Sequence, residues 1–131
     1  MQISAKIESR FHSQETSVQS EDMPKSLSIP VKPSGYGSAI NGGELLMLAL
    51  ATCFSNDIYR EAAKRKIAVS SVQVECTGDF GGEGEPASNI RYTARVSADA
   101  SPEVIDQLIR ATDKVAEVHN TLRKGVSITL E

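Results

Sequence analysis

The run NGGELLMLALATCFSNDIYREAAKRK, residues 41–66, decides the fold: it predicts one long helix with Cys53 near its middle. Asn41 is placed to accept a hydrogen bond from an unpaired N–H of the first turn. Glu44, three residues on, can reach back to the Asn41 N–H, as in a capping box. Gly42 and Gly43 then fall in the first turn, where poor helix propensity matters least. From Leu45 to Phe54 the run is apolar on every side apart from Thr52. A helix hydrophobic all round has to be buried all round, which implies that water is largely excluded from around Cys53. Steps of three and four residues place Leu46, Ala49 and Leu50 on the N-terminal flank of the thiol and Asn56, Asp57 and Arg60 on its C-terminal flank. One flank is greasy, the other polar. The basic end at Lys64, Arg65 and Lys66 suits the negative pole of the helix dipole.

Upstream, residues 1–10 alternate Ile3, Ala5 and Ile7 against Gln2, Ser4, Lys6 and Glu8, the period of a half-buried strand. Residues 11–20 return as a second, polar strand, and Leu27, Ile29 and Val31 alternate as a third. Pro30, Pro33 and the small-residue run Ser34-Gly35-Tyr36-Gly37-Ser38 end the sheet and deliver the chain to the Asn41 cap. Downstream, residues 69–80 read as a strand with Val72, Val74 and Cys76 on one face. A glycine-bearing turn over residues 78–86 leads to a returning strand at residues 90–96, making a hairpin. Ser101 and Pro102 start a further amphipathic helix carrying Val104, Ile105, Leu108 and Ile109. Residues 115–124 form another short helix ended by Gly125, and Val126, Ile128 and Leu130 alternate into a final strand. The expected architecture is α+β, one domain over residues 1–131, with antiparallel sheets and a long buried central helix. One small sheet cannot cover that helix on every side, so a homodimer with the central helices packed together is expected.

Composition bounds the partners. The formal net charge of −3 and a pI near 5.4 argue against a nucleic acid or an acidic membrane as the main partner, because phosphate binding needs a clustered positive footprint. With no Trp and 5% aromatics, a base-stacking platform is not expected either. Two cysteines, no leader-like start and no run near the ~18 residues of a spanning helix point to a cytoplasmic protein with reduced thiols.

The chemistry-bearing residues are few. A cysteine in a buried helix is more often an inert small hydrophobe than a nucleophile. Lying mid-helix, Cys53 gets no help from the N-terminus of its own helix; Arg10 and Arg60 are the cations that could hold its thiolate. Cys76 alternates with valines and reads as core. His12 and His119 have no His, Cys or acid at metal-ligand spacing, so no metal and no cofactor is expected. No Gly-x-Ser-x-Gly elbow or phosphate loop is present.

Residues 41–54, Asn-Gly-Gly-Glu-Leu-Leu-Met-Leu-Ala-Leu-Ala-Thr-Cys-Phe, resemble the central-helix signature of the OsmC/Ohr family. Arg60-Glu-Ala-Ala-Lys-Arg-Lys-Ile67 continues the resemblance, as does Ala116-Glu-Val-His-Asn-Thr-Leu-Arg123 before the last strand. The resemblance implies an OsmC-like fold, an intertwined homodimer with sites at the subunit interface, and thiol-dependent reduction of organic hydroperoxides. In that chemistry a peroxidatic Cys becomes a sulfenic acid and a second Cys resolves it to a disulfide. Cys53 matches the first position, whereas the second falls at Ala116. The family's catalytic Glu falls at Gly43, one position before Glu44, which on a helix is turned by about 100°. An Arg from the early strands normally holds the thiolate, and Arg10 is the only Arg before the central helix.

Three readings stay open. In the first, the protein is a one-Cys peroxidase using Cys53 with Arg10 and Glu44, regenerated by an external thiol or a lipoyl-type reductant. Leu46, Leu50 and Phe54 then give the thiol apolar company and favour organic hydroperoxides. His119, three residues after Ala116, either points into the space that the second Cys would have faced or stands exposed. In the second reading the interface pocket binds an apolar small molecule without turnover. In the third the dimer is a scaffold and Cys53 is packing.

Overall fold

The structure, a computed structural model, describes all residues, Met1–Glu131. It separates into two compact units, Met1–Leu45 and Leu46–Glu131.

The first unit is an antiparallel meander of β1 (Ile3–Arg10), β2 (Ser13–Ser20) and β3 (Met23–Ser26), in that order. The β1–β2 turn at Phe11 and His12 is tight, pairing Arg10 with Ser13, and sets His12 at φ 55°, a left-handed conformation that His tolerates better than most residues. Glu21 does the same between β2 and β3, at φ 51°. That second turn decides the register, pairing Ser20 with Met23 and Ser17 with Ser26. The third strand therefore forms earlier than the alternation of Leu27, Ile29 and Val31 predicts. Pro24 is tolerated because β3 is an edge strand, whereas Pro30 removes a ladder donor from residues 27–31. That stretch is held by β2 side chains instead: Thr16 Oγ1 donates to the Leu27 carbonyl and Gln14 Nε2 to the Ile29 carbonyl at 3.2 Å. Val31 makes only a single bridge, to Ser38. The predicted half-burial of β1 is not met: all eight residues are exposed, Ile3 at 66% and Ile7 at 55%.

The helix α1 (Gly42–Lys64) opens in the first unit and continues through the second. Its capping box is formed: the Glu44 N–H donates to Asn41 Oδ1 at 2.8 Å, and the Asn41 N–H donates to Glu44 Oε1 at 3.2 Å. In the second unit β4 (Val69–Asp79) and β5 (Ser88–Ala98) pair as the expected hairpin, with Val72 opposite Val96, Val74 opposite Ala94 and Cys76 opposite Tyr92. α2 (Pro102–Val115) starts as read, Ser101 Oγ accepting the Val104 N–H at 3.3 Å. The chain bends at Ala116 (φ −71°, ψ 107°), and α3 (Glu117–Lys124) runs to Gly125, whose φ of 67° ends it.

The core sits where Phe54, Ile58 and Ala62 of α1 meet Leu108 and Ala116, with Val72, Val74, Tyr92, Ala94, Val96 and Ile109 packed around them. Spaced four apart, Leu50, Phe54, Ile58 and Ala62 form one buried stripe. Burial on every side is not observed: Leu48 is 60% exposed and Tyr59 46%. One hairpin and two short helices cover only one side of a helix, which is the physical reason. The predicted final strand is also absent. Residues 126–131 find no neighbour, and Ile128 and Leu130 are almost fully exposed; alternation makes a strand only where another strand completes the ladder. No helix is long and apolar enough to cross a membrane.

Candidate functional site

Four residues apart on α1, Cys53 and Asp57 share a face, and the thiol donates to Asp57 Oδ2 at 3.5 Å. Asp57 is 5% exposed, whereas Cys53 is half-buried. Arg60, one turn further on, places Nη1 3.1 Å from Asp57 Oδ1 and 3.0 Å from Glu117 Oε1. The first turn of α3 delivers Glu117, so that the Cys53 sulfur and the oxygens of Asp57 and Glu117 all lie within 4.8 Å of one another. These are donors of the kind that hold a cation, but the Arg60 guanidinium already bridges the two carboxylates and meets their charge.

The electrostatics follow from that crowding. Burial above all pushes the Cys53 thiol up, and the negative charges of Asp57 and Glu117 add to it. The backbone N–H of Val118, in the first turn of α3, works the other way and favours the ionised sulfur. A helix N-terminus therefore does reach Cys53, but it belongs to α3 and not to α1, the helix the sequence reading considered. Asp57 is also raised, by burial first and then by Glu117, against the thiol's hydrogen bond and Arg60. Glu117 is lowered, chiefly by its own backbone N–H and by Arg60. Of the two carboxyl groups, Asp57 is thus the one that takes up a proton more readily.

The residues expected from sequence fall in different places. Arg10 is ion-paired with Glu8 on its own strand, in the first unit. Glu44 is engaged in the capping box, nine residues before Cys53, about 13 Å along the helix. Leu46 is half-buried, but Leu50 and Phe54 are closed to solvent at 3% and 0% exposure, facing the core. His119 is not exposed, as one alternative had it: it is buried with its ring centroid 4.6 Å from Tyr92 and 5.6 Å from Phe54, and neither ring nitrogen has a hydrogen-bond partner. Ala116 is fully buried at the α2–α3 bend. Cys76, half-buried on β4, is pushed up by burial alone.

Sequence reasoning placed Asp57 and Arg60 on the thiol's polar flank but gave Asp57 no role. It missed Glu117 and the Val118 amide, which reach the thiol only through the packing of α3. The signal for Asp57 was its i, i+4 spacing from Cys53; for Glu117 there was none.

The comparisons with known proteins bear on the whole arrangement. Residues 35–131 match the family model for OsmC-like proteins. The chain is similar in fold to the OsmC-like protein from Mycoplasma pneumoniae, with 20% identity and a TM-score of 0.63 over 95% of this chain and 87% of that one. It is also similar to an organic hydroperoxide resistance protein from Elizabethkingia anophelis, with 15% identity and a TM-score of 0.65 over 97% and 91% of the two chains. A third, OhrB of Bacillus subtilis, an organic hydroperoxide resistance protein, has 17% identity and a TM-score of 0.55 over 98% and 96%. No curated protein matches the sequence. With the long capped helix, the Cys53 cluster and the α2–α3 bend all lying inside the matched residues, the chain belongs to the OsmC-like family.

Proposed function

We propose that the protein is a thiol-dependent peroxidase that reduces organic hydroperoxides through Cys53 and works with one cysteine. The observation that carries this reading is the Cys53 thiol donating to the buried Asp57 carboxyl beside Arg60 and Glu117. A cysteine that only fills space has no use for such a setting. Membership of the OsmC-like family, and hydroperoxide resistance proteins among its structural neighbours, support the same chemistry. Ala116 stands where the family pattern puts the resolving Cys, and Cys76 lies in a different element, so the sulfenic acid is met by an external thiol or lipoyl-type dithiol. Leu46 offers the peroxide an apolar neighbour. Leu50, Phe54 and His119 back the thiol-bearing helix from inside the core. Arg10 and Glu44 enter as further site residues on the family pattern, to be tested by Arg10→Gln and Glu44→Gln. We take the working form to be a homodimer in which a second copy covers Leu48 and Tyr59, acting in the cytoplasm on small molecules.

The test is a stoichiometric challenge with cumene hydroperoxide in a Cys76→Ala background, followed by mass spectrometry of the Cys53 sulfenic acid. Rapid oxidation is expected, lost in Cys53→Ser, with cumene hydroperoxide preferred over hydrogen peroxide by about tenfold or more, the scale of one apolar contact region. Equal rates with both peroxides would remove the substrate assignment. A second reading, an OsmC-fold dimer that binds an apolar small molecule without turnover, draws on the upward push on the thiol from burial and two carboxylates. A folded protein whose Cys53 resists the peroxide would select it.

A further inference from the structure

We propose that Asp57 is the proton carrier of the peroxidase reaction: it takes the Cys53 thiol proton as sulfur attacks and returns it to the departing oxygen. This rests on the peroxidase reading above. The geometry is direct, since the thiol already donates to Asp57 Oδ2 at 3.5 Å and no side chain intervenes. Asp57 is held from its other oxygen by Arg60 Nη1 at 3.1 Å, which fixes the carboxyl with Oδ2 toward the sulfur. Glu117, 3.0 Å from the same guanidinium nitrogen, is a positioning residue that anchors Arg60.

Charge explains why the proton goes to Asp57 and not to water. Losing it to solvent would put a third negative charge beside Asp57 and Glu117, with Arg60 the one cation bridging them. Passing it to Asp57 keeps the charge of the cluster constant, and the Val118 N–H then supports the new thiolate. The balance closes. The thiolate pair forms the S–O bond to the terminal peroxide oxygen, and the O–O bond breaks with its pair on the alkoxide side. Asp57 protonates that alkoxide, giving Cys53–SOH and an alcohol. Sulfur is oxidised by two electrons and the peroxide is reduced by two.

The test compares pH–rate profiles for Cys53 oxidation by cumene hydroperoxide in the Cys76→Ala protein and in the same protein carrying Asp57→Asn. The reactive form, neutral thiol with ionised Asp57, gives a rate nearly flat from pH 6 to 8, whereas an unaided thiol gains about tenfold per pH unit. Asp57→Asn is expected to slow oxidation at pH 6 by about a hundredfold, the scale of a lost acid–base group, and to restore the steep pH dependence. Asp57→Glu is expected to recover part of the flat profile. A purely electrostatic Asp57 predicts the opposite, because removing its charge would lower the thiol and speed both oxidation and alkylation by iodoacetamide. A faster Asp57→Asn protein overturns the proposal while leaving the peroxidase reading intact. A steep profile in the parent protein overturns it without any variant. A parent protein that the peroxide leaves unoxidised at every pH overturns both.

Discussion

Replacing His119 by leucine should stabilise the protein and remove part of its sensitivity to acid. A neutral imidazole carries one donor and one acceptor, and here both nitrogens are buried without a partner between the rings of Phe54 and Tyr92. A buried polar group left unpaired costs about 1–3 kcal/mol. Leucine is close to imidazole in size and removes that penalty, giving up ring-edge contacts worth about 1 kcal/mol. The net expectation at pH 8 is a gain of about 1 kcal/mol, or about 4 °C in Tm for a chain of this length. The pH dependence has a definite sign. Burial first, and then the positive charge of Arg123, hold the His119 imidazole below its ordinary value, with Asp113 opposing them. The unfolded chain therefore takes up the proton before the folded one does. Stability is full above the unfolded value of about 6.5 and is lost as the pH falls below it, until the folded imidazole itself protonates. Within that window the slope is at most about 1.4 kcal/mol per pH unit. The leucine variant lacks this loss, so the gap between the two proteins should widen from pH 8 to pH 5. Urea denaturation of both at pH 8, 6.5 and 5 measures it. A leucine variant less stable at pH 8, with the parent's pH slope unchanged, would show that the imidazole has a polar partner in solution and would refute the argument.

Two further outcomes are expected from the packing. Asn41→Ala removes the Oδ1 acceptor of the capping box, leaving the backbone N–H of residue 41 to Glu44, and should cost about 1 kcal/mol, seen as an earlier loss of helical circular dichroism on heating; an unchanged melt would mean that the side-chain cap contributes nothing. Leu108→Ala empties a fully buried position in the core and should cost about 3 kcal/mol, read as a lower urea midpoint at constant slope.

What the sequence discloses depends on how far each signal reaches. The start of α1 was legible because Asn41 and Glu44 cap a helix through groups three residues apart, and the β4–β5 hairpin because Val72, Val74 and Cys76 alternate against a nearby returning strand. The third strand was misplaced because the Glu21 turn, not the apolar alternation further on, sets the pairing. The run Val126, Ile128, Leu130 has the pattern of a strand, but pattern supplies no neighbour. At the site, Asp57 stood in view one turn after Cys53. Glu117 reaches Arg60 from 57 residues away, and a separation of that kind leaves no local trace. The Val118 amide carries no side-chain signal at all, being a backbone group that any residue type would supply.

The start of α3 carries one more consequence. Its N-cap is Ala116, among the poorest residues for that place, and no side chain there accepts from the first-turn amides. A serine at 116 would be placed to accept from the N–H of Val118 or His119, a cap worth about 1 kcal/mol before the cost of fitting a hydroxyl into a fully buried position. Accepting from Val118 would withdraw the amide that favours the ionised sulfur. The residue at this junction thus sets two things at once: how firmly α3 is capped, and whether the Val118 amide is left to the sulfur.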